Sequence, residues 1–260
     1  MYDYVVNEFN NNPSMVKLSN VNSENLYVNF LNAPYMFLPK SLDEFKSTHK
    51  SKFWYNLNRF EKIYKKDIGE LNFKIIQDKI ELEPFLDKVF ILFNNKWKDE
   101  YLSTSWKCKD GFNEYKKAML KLSSNNEAFL AVLYDEDKNL LSYAYCLNDD
   151  DTVYFYQYTT NSDSKYKKYS LGKVLLHNLL KYIISQNKYK KFDFMNGEQA
   201  YKLEWAKSTE AVYFKIEGKT IISYLKYFLL RFKVYLQFNK FFRNKLKTVF
   251  KLKDIFFEKC

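Results

Sequence analysis

Val153-Tyr154-Phe155-Tyr156-Gln157-Tyr158-Thr159-Thr160, then a basic loop, then Tyr169-Ser170-Leu171-Gly172-Lys173-Val174-Leu175-Leu176: this stretch decides how the chain reads. Seven of the first eight residues, all but Gln157, are β-branched or aromatic, and the run reads as a strand. The period then becomes helical. Leu175, Leu176, Leu179, Leu180, Ile183 and Ile184 form a buried stripe, which predicts a helix from about Gly172 to Gln186. Lys173, His177, Lys181 and Ser185 are expected on its wet face. Ser170 suits the N-cap, and Gly172 would let a bulky ligand approach the backbone. First-turn N–H groups have no partner inside a helix and the dipole adds positive potential, so such an end binds phosphate, with Lys165, Lys167 and Lys168 to assist. The same residues also fit a capped surface helix whose lysines are simply solvated.

Working outward, Ala128–Tyr134 and Leu140–Leu147 alternate like strands around the turn Asp135-Glu136-Asp137-Lys138-Asn139. Downstream, Lys191–Met195 reads as another strand. The order hairpin, strand, helix, strand predicts a mixed α/β sheet. Further upstream, Ser41 and Glu44 form a capping-box pattern that opens a helix towards Lys66. Leu71–Gln77 follows as a strand, then helices at Glu81–Trp97 and Phe112–Leu122. Residues 1–40 read as short strands and loops, with Pro34 and Pro39 as breakers.

The second informative stretch is Phe192-Asp193-Phe194-Met195-Asn196-Gly197-Glu198-Gln199-Ala200-Tyr201-Lys202-Leu203-Glu204-Trp205. In the strand, Asp193 faces away from Phe192 and Phe194. A helical turn after Gly197 would gather Glu198, Tyr201, Lys202 and Trp205 at offsets of three and four. Carboxylates, a phenol and an ammonium so placed can orient and deprotonate an amine or hydroxyl nucleophile. A surface helix with a Glu–Lys pair and a buried Trp is the other reading.

Composition narrows the chemistry. The chain has 260 residues, only five glycines, three cysteines and two histidines. Cys108, Cys146 and Cys260 form no CxxC pair, so neither a disulfide framework nor a zinc ribbon is expected, and a reducing cytosol is the default. His49 and His177 are too few for a His-based metal site, and neither makes a credible base for Ser-His-Asp or Cys-His catalysis. No signal peptide is expected from the acidic, polar start, and no uncharged apolar run approaches the ~20 residues of a spanning helix.

Together the two stretches resemble the BioF2-like acetyltransferase family, a GNAT branch that includes CelD-type proteins and is related to FemAB-like transferases. The likeness rests on Tyr156-Gln157, Ser170-Leu171-Gly172 with Leu175-Leu176, Phe192-Asp193-Phe194, Gly197, Tyr201-Lys202 and Trp205. It departs where the family's loop proline is Leu171, and where the general GNAT phosphate loop is met by Tyr169 and Val174, leaving only Gly172 in place. The resemblance implies a GNAT-like α/β fold, a mixed, mostly antiparallel twisted sheet flanked by helices: residues 81–218 as the acyltransferase core, 1–80 as an N-terminal region read as a reduced GNAT-like half, and 219–260 as a basic amphipathic helical tail.

It further implies acyl-CoA as co-substrate and no metal, with the thioester in a gap between Val153–Thr160 and Lys191–Met195. Donor binding then falls to Tyr158, Tyr169, Ser170, Leu171, Gly172, Lys173 and Val174, with the pyrophosphate on the backbone of the last four. Asp193, Glu198 and Tyr201 become the candidates for acceptor orientation or base, supported by Lys202 and Gln157, and Trp97, Tyr156 and Trp205 fall on the acceptor side. The implied reaction is N- or O-acylation of a sugar amine or hydroxyl in envelope polysaccharide or glycolipid synthesis, in the cytoplasm or peripherally at the inner membrane face. A FemAB-like transferase drawing on charged tRNA and an inactive GNAT-fold binding module are the competing functions.

The net charge of +11 is uneven: from Lys219 to Cys260 eleven Lys and Arg stand against two acids, a net +9, leaving +2 for residues 1–218. Within this tail Ile221, Leu225, Phe228, Leu229, Phe232 and Leu236 recur at helical spacing. Three fates suit a basic amphipathic helix: packing back on the core, lying on an anionic membrane surface, or holding tRNA phosphates.

Overall fold

Leu140–Asn148 is buried along its whole length, and it forms the central strand of the larger of two compact units into which the chain divides. In this computed structural model the described residues are 15–17, 21–97 and 109–238. One unit spans residues 36–194 and the other joins 1–35 to 195–259. The strands are β1 (Met15–Lys17), β2 (Leu26–Phe37), β3 (Asn72–Ile76), β4 (Ala128–Tyr134), β5 (Leu140–Asn148), β6 (Thr152–Thr160), β7 (Lys191–Asp193) and β8 (Ser208–Ile216). The helices are α1 (Leu42–Ser47), α2 (Ser51–Asp67), α3 (Lys79–Trp97), α4 (Lys109–Ser124), α5 (Leu171–Ser185), α6 (Ala200–Leu203) and α7 (Ile221–Phe238), with a 3₁₀ turn at Ser164–Tyr169.

In the 36–194 unit the strand order is β7-β6-β5-β4-β3. Every pair is antiparallel except β6 with β7, which is parallel, as the helical crossover between them requires. Side chains alternate across the sheet. One face carries Phe129, Phe155, Phe192 and Phe194, and α5 packs there through Tyr182 against Phe129. The other face carries Tyr145, whose hydroxyl donates to the Met119 carbonyl of α4 at 3.2 Å. Burial on both faces fits the apolar side chains that β4 and β5 carry almost throughout, in place of the alternation expected of them.

The other unit holds an antiparallel sheet in which β8 pairs with both β1 and β2. Here the sequence reading needs correction. Residues 26–37 form one twelve-residue strand, not short strands and loops. A register shift between Asn29 and Leu31 leaves Phe30 over and reverses the inward parity midway, which erases the alternation that would mark a strand. Its partner β8 was not anticipated, although Val212, Phe214 and Ile216 alternate inward cleanly.

Two further expectations fail in the larger unit. The helix from Ser41 to Lys66 is broken into α1 and α2. Ser41 does cap, accepting from the Glu44 amide at 3.1 Å, and the Glu44 carboxylate accepts from the Lys40 amide at 2.8 Å. The first helix stops at Thr48, whose amide and hydroxyl both bond to the Phe45 carbonyl. His177 is not on a wet face but buried, because α2 lies over α5 and sets Trp54 5.6 Å from the imidazole. Burial first, then the Lys181 charge, pushes the His177 pKa down from 6.5 to about 4.

Between those two values the unfolded chain takes up a proton that the folded chain refuses, so stability falls as pH drops from about 6.5 to 4. Replacing His177 with Phe is expected to shrink the loss of unfolding free energy between pH 7 and pH 4.5 by about 2 kcal/mol, read from urea titrations at the two pH values.

Candidate active site

The parallel pairing of β6 with β7 runs only from Thr152↔Lys191 to Tyr154↔Asp193. β6 goes on to Thr160, and from Phe155 onward its pairing among the described residues is with β5. That pairing itself slips: Tyr145 faces Gln157 and Cys146 faces Phe155, so Tyr156 is the extra residue of a bulge. The strand therefore parts from its parallel neighbour and bends at one place. Backbone groups on an unpaired edge are ready donors and acceptors.

What faces that place is polar. Gln157, Thr159 and Asp193 share the α4 side of the sheet, by their register with Tyr145, Tyr143 and Tyr154. Tyr156 stacks on Tyr115 of α4, with ring centres 6.1 Å apart. Burial pushes Tyr156 up to about 12 and Tyr115 well above the ordinary phenol value, so both stay protonated at neutral pH and can donate. Trp97, at the end of α3, donates its indole N–H to Thr159 Oγ1 at 3.4 Å. Asp193 is fully buried, with Lys191 Nζ 3.7 Å from its Oδ2.

At the head of α5 the details differ from expectation. Ser170 stands at the N-cap but in the left-handed region, φ 46°, and its side chain makes no capping bond. Instead its carbonyl accepts from the Lys173 and Val174 amides at 2.8 and 3.2 Å. Gly172 is not open to a ligand on its Cβ side: a Cβ there would lie 1.6 Å from the Tyr158 hydroxyl. The glycine thus serves the close approach of α5 to β6, with Tyr158 filling the space. Leu171 and Val174 turn their side chains into the core, so only their backbone could serve a ligand, while the buried ring of Tyr169 packs with Tyr64 and Leu141 and its hydroxyl donates to Asp67 Oδ2 at 3.3 Å.

The preceding 3₁₀ turn borders an open cleft of ≈ 670 Å³ lined by Ile68, Ser164, Lys165, Lys167, Lys168 and Tyr169. Lys168 donates to Asp67 Oδ2 at 2.6 Å, which fixes the turn to the end of α2 and holds the Asp67 carboxyl below its ordinary pKa. Lys165 and Lys167, with Lys168 paired to Asp67, leave this edge ahead of the α5 N-terminus positive, which suits a ligand with several phosphates. The residues thus fit the phosphates of a CoA, while Tyr158 must yield if a pyrophosphate is to reach Gly172.

Residues 195–205 belong to the other unit. Met195 and Gly197 have φ 59° and 95°, a sharp turn that glycine eases. Asn32 clamps it: its carbonyl accepts from the Gly197 amide at 2.8 Å and its side-chain amide donates to Glu198 Oε2 at 2.9 Å. The helix expected to gather four residues is only Ala200–Leu203, so Glu198 lies outside it. Lys202 is buried and donates to the Asn196 carbonyl at 2.7 Å. Burial raises Tyr201 to about 12, which makes it a proton donor at neutral pH, and Trp205 is fully buried. Sequence reasoning missed Asn32, which lies 166 residues from Glu198, and the phenol wall of Tyr115 and Tyr143. Among the described residues no group of three or more His, Cys, Asp or Glu could hold a metal.

Solved structures share this architecture at low identity, which shows the fold alone. L-PGS from Bacillus licheniformis superposes with a TM-score of 0.55 and 9% identity, over 81% of this chain and 69% of that one. The C-terminal domain of a putative lysylphosphatidylglycerol synthetase from Agrobacterium fabrum gives 0.54 and 12%, over 82% and 67%. FemX gives 0.50 and 11%, over 78% and 64%. The fold is therefore GNAT-like, a mixed, mostly antiparallel sheet with helices. Residues 51–203 match the profile of the acetyltransferase (GNAT) domain, and the chain belongs to that family, in its BioF2-like branch. No curated protein matches it.

A Cβ at Gly197 would meet Gln199 Nε2 at 2.7 Å in a conformation that L residues rarely adopt. Gly197→Ala is expected to lower stability by about 1–3 kcal/mol, measured by denaturant unfolding. An unchanged midpoint would show that the turn is not constrained.

Proposed function

We propose that this chain is an acyl-CoA-dependent N- or O-acyltransferase acting on a sugar amine or hydroxyl in envelope polysaccharide or glycolipid synthesis. The observation that carries the reading is the unpaired edge of β6 beyond Tyr154, in a chain of the acetyltransferase (GNAT) domain family. The cleft lined by Lys165, Lys167 and Lys168 and the amides at the head of α5 would hold the phosphates of the donor. The nucleophile's lone pair forms the new C–N or C–O bond at the thioester carbon, the C–S bond breaks, and CoA leaves as the thiol. Donors on the β6 edge would stabilise the oxyanion. Asp193 and Glu198 are our choices for orienting the acceptor or taking its proton, and Tyr201, protonated at neutral pH, for orienting it, with Gln157 and Lys202 in support. The protonated phenols of Tyr115 and Tyr156, with Trp97, suit a hydroxyl-rich acceptor better than an apolar one.

One observation favours a second reading. Tyr158 occupies the space at Gly172 where a pyrophosphate would approach, which suits a donor held in another way, such as charged tRNA. Calorimetric titration with acetyl-CoA separates the two. Micromolar binding, weakened about tenfold or more in Lys173→Glu at an unchanged melting temperature, is expected. Absence of binding by the folded protein would turn the assignment towards the tRNA donor.

A further inference from the structure

The outward face of α7 is apolar without interruption. At about 100° per residue, Tyr224, Phe228, Ile221, Phe232, Leu225 and Leu229 fall in that order on one arc of about 140°. All six are exposed, Ile221 by 89% and Phe228 by 62%. The opposite side carries Ser223, buried and donating to the Glu217 carbonyl at 2.8 Å, with Leu230 and Val234 half-buried. The helix therefore has two apolar sides, one half-buried and the other exposed.

The charged residues stand between those sides. Arg231 falls beside Tyr224 at one margin of the arc and Lys226 beyond Leu229 at the other, both exposed. No acidic residue occurs from Thr220 to Lys253, a stretch that carries nine Lys and Arg. No helix among the described residues is long and apolar enough to cross a membrane. Long basic side chains at the margins of an apolar face can lay their stems along it and hold their charges at headgroup level. A soluble protein rarely leaves so large an apolar patch in water.

We propose that α7 lies in the interface of an anionic phospholipid bilayer, its Ile221–Leu225–Phe228–Phe232 side sunk towards the acyl chains and Lys226 and Arg231 at the phosphates. This surface is independent of which acyl donor the enzyme uses. The charge pattern selects the lipid, since each basic residue near an anionic surface adds attraction that a zwitterionic surface does not supply.

Co-sedimentation of the full chain with vesicles tests it, comparing phosphatidylcholine alone with the same lipid containing a third phosphatidylglycerol. Strong pelleting with the anionic vesicles and little with the neutral ones is expected. Leu225→Glu/Phe228→Glu should weaken partitioning at least about tenfold, and so should Lys226→Glu/Arg231→Glu, at unchanged helix content by circular dichroism. Both pairs are exposed, so neither should disturb folding. Equal recovery with and without vesicles would overturn the proposal. So would wild-type pelleting unchanged in both double variants, a concentration-dependent dimer abolished by Leu225→Glu/Phe228→Glu without lipid binding, or tRNA binding through the same basic residues without lipid binding.

Discussion

Three residues of parallel pairing, from Thr152 to Tyr154 against Lys191 to Asp193, join β7 to the rest of the larger unit, and then the pairing stops. Buried backbone N–H and C=O groups must find partners, so a strand does not leave its neighbour without consequence. The crossover through α5 forces the parallel orientation, and the buried Phe155, Phe192 and Phe194 pack together on the α5 side where the strands part. The bulge at Tyr156 bends the same part of β6. Aromatic packing on one face and the open edge beside it thus arise from the same short run of sequence, and the polar groups of the other face have somewhere to point.

Much of this was legible in the sequence because local rules and the tertiary fold agree there. The hairpin around Asp135–Asn139, the strand from Val153 and the helix rich in paired leucines all follow from period and turn chemistry. What failed was set by distant contacts. His177 sits where helical spacing puts a wet residue, but α2 covers it, and spacing along one helix carries no information about a second helix laid across it. Phe30 hides β2 by reversing its inward parity. Asn32 reaches Glu198 across 166 positions, a contact no local pattern announces.

The candidate site was legible as a set of residues more than as a set of roles. Gly172 was singled out as a glycine that lets a bulky ligand approach the backbone, and the packing shows that a Cβ there would meet the Tyr158 hydroxyl at 1.6 Å. Lys202 was read as a supporting group beside the acceptor, or else as half of a surface Glu–Lys pair, and it is buried on the Asn196 carbonyl. In both cases sequence marks a residue type under constraint, and only the packing says what imposes the constraint. The same holds for the basic tail: its periodicity announces an amphipathic helix, and the burial of Ser223 against the exposure of Phe228 shows which side the protein leaves uncovered.

The central claim is that the unpaired edge of β6 and the head of α5 together receive the acyl donor. Amide hydrogen exchange resolved over residues 153–160 and 171–174, with and without saturating acetyl-CoA, tests it most directly. The account predicts slower exchange in both segments when the donor is present, while β4, paired with β3 on one side and β5 on the other, stays unchanged. Donor binding with no change in either segment would contradict it.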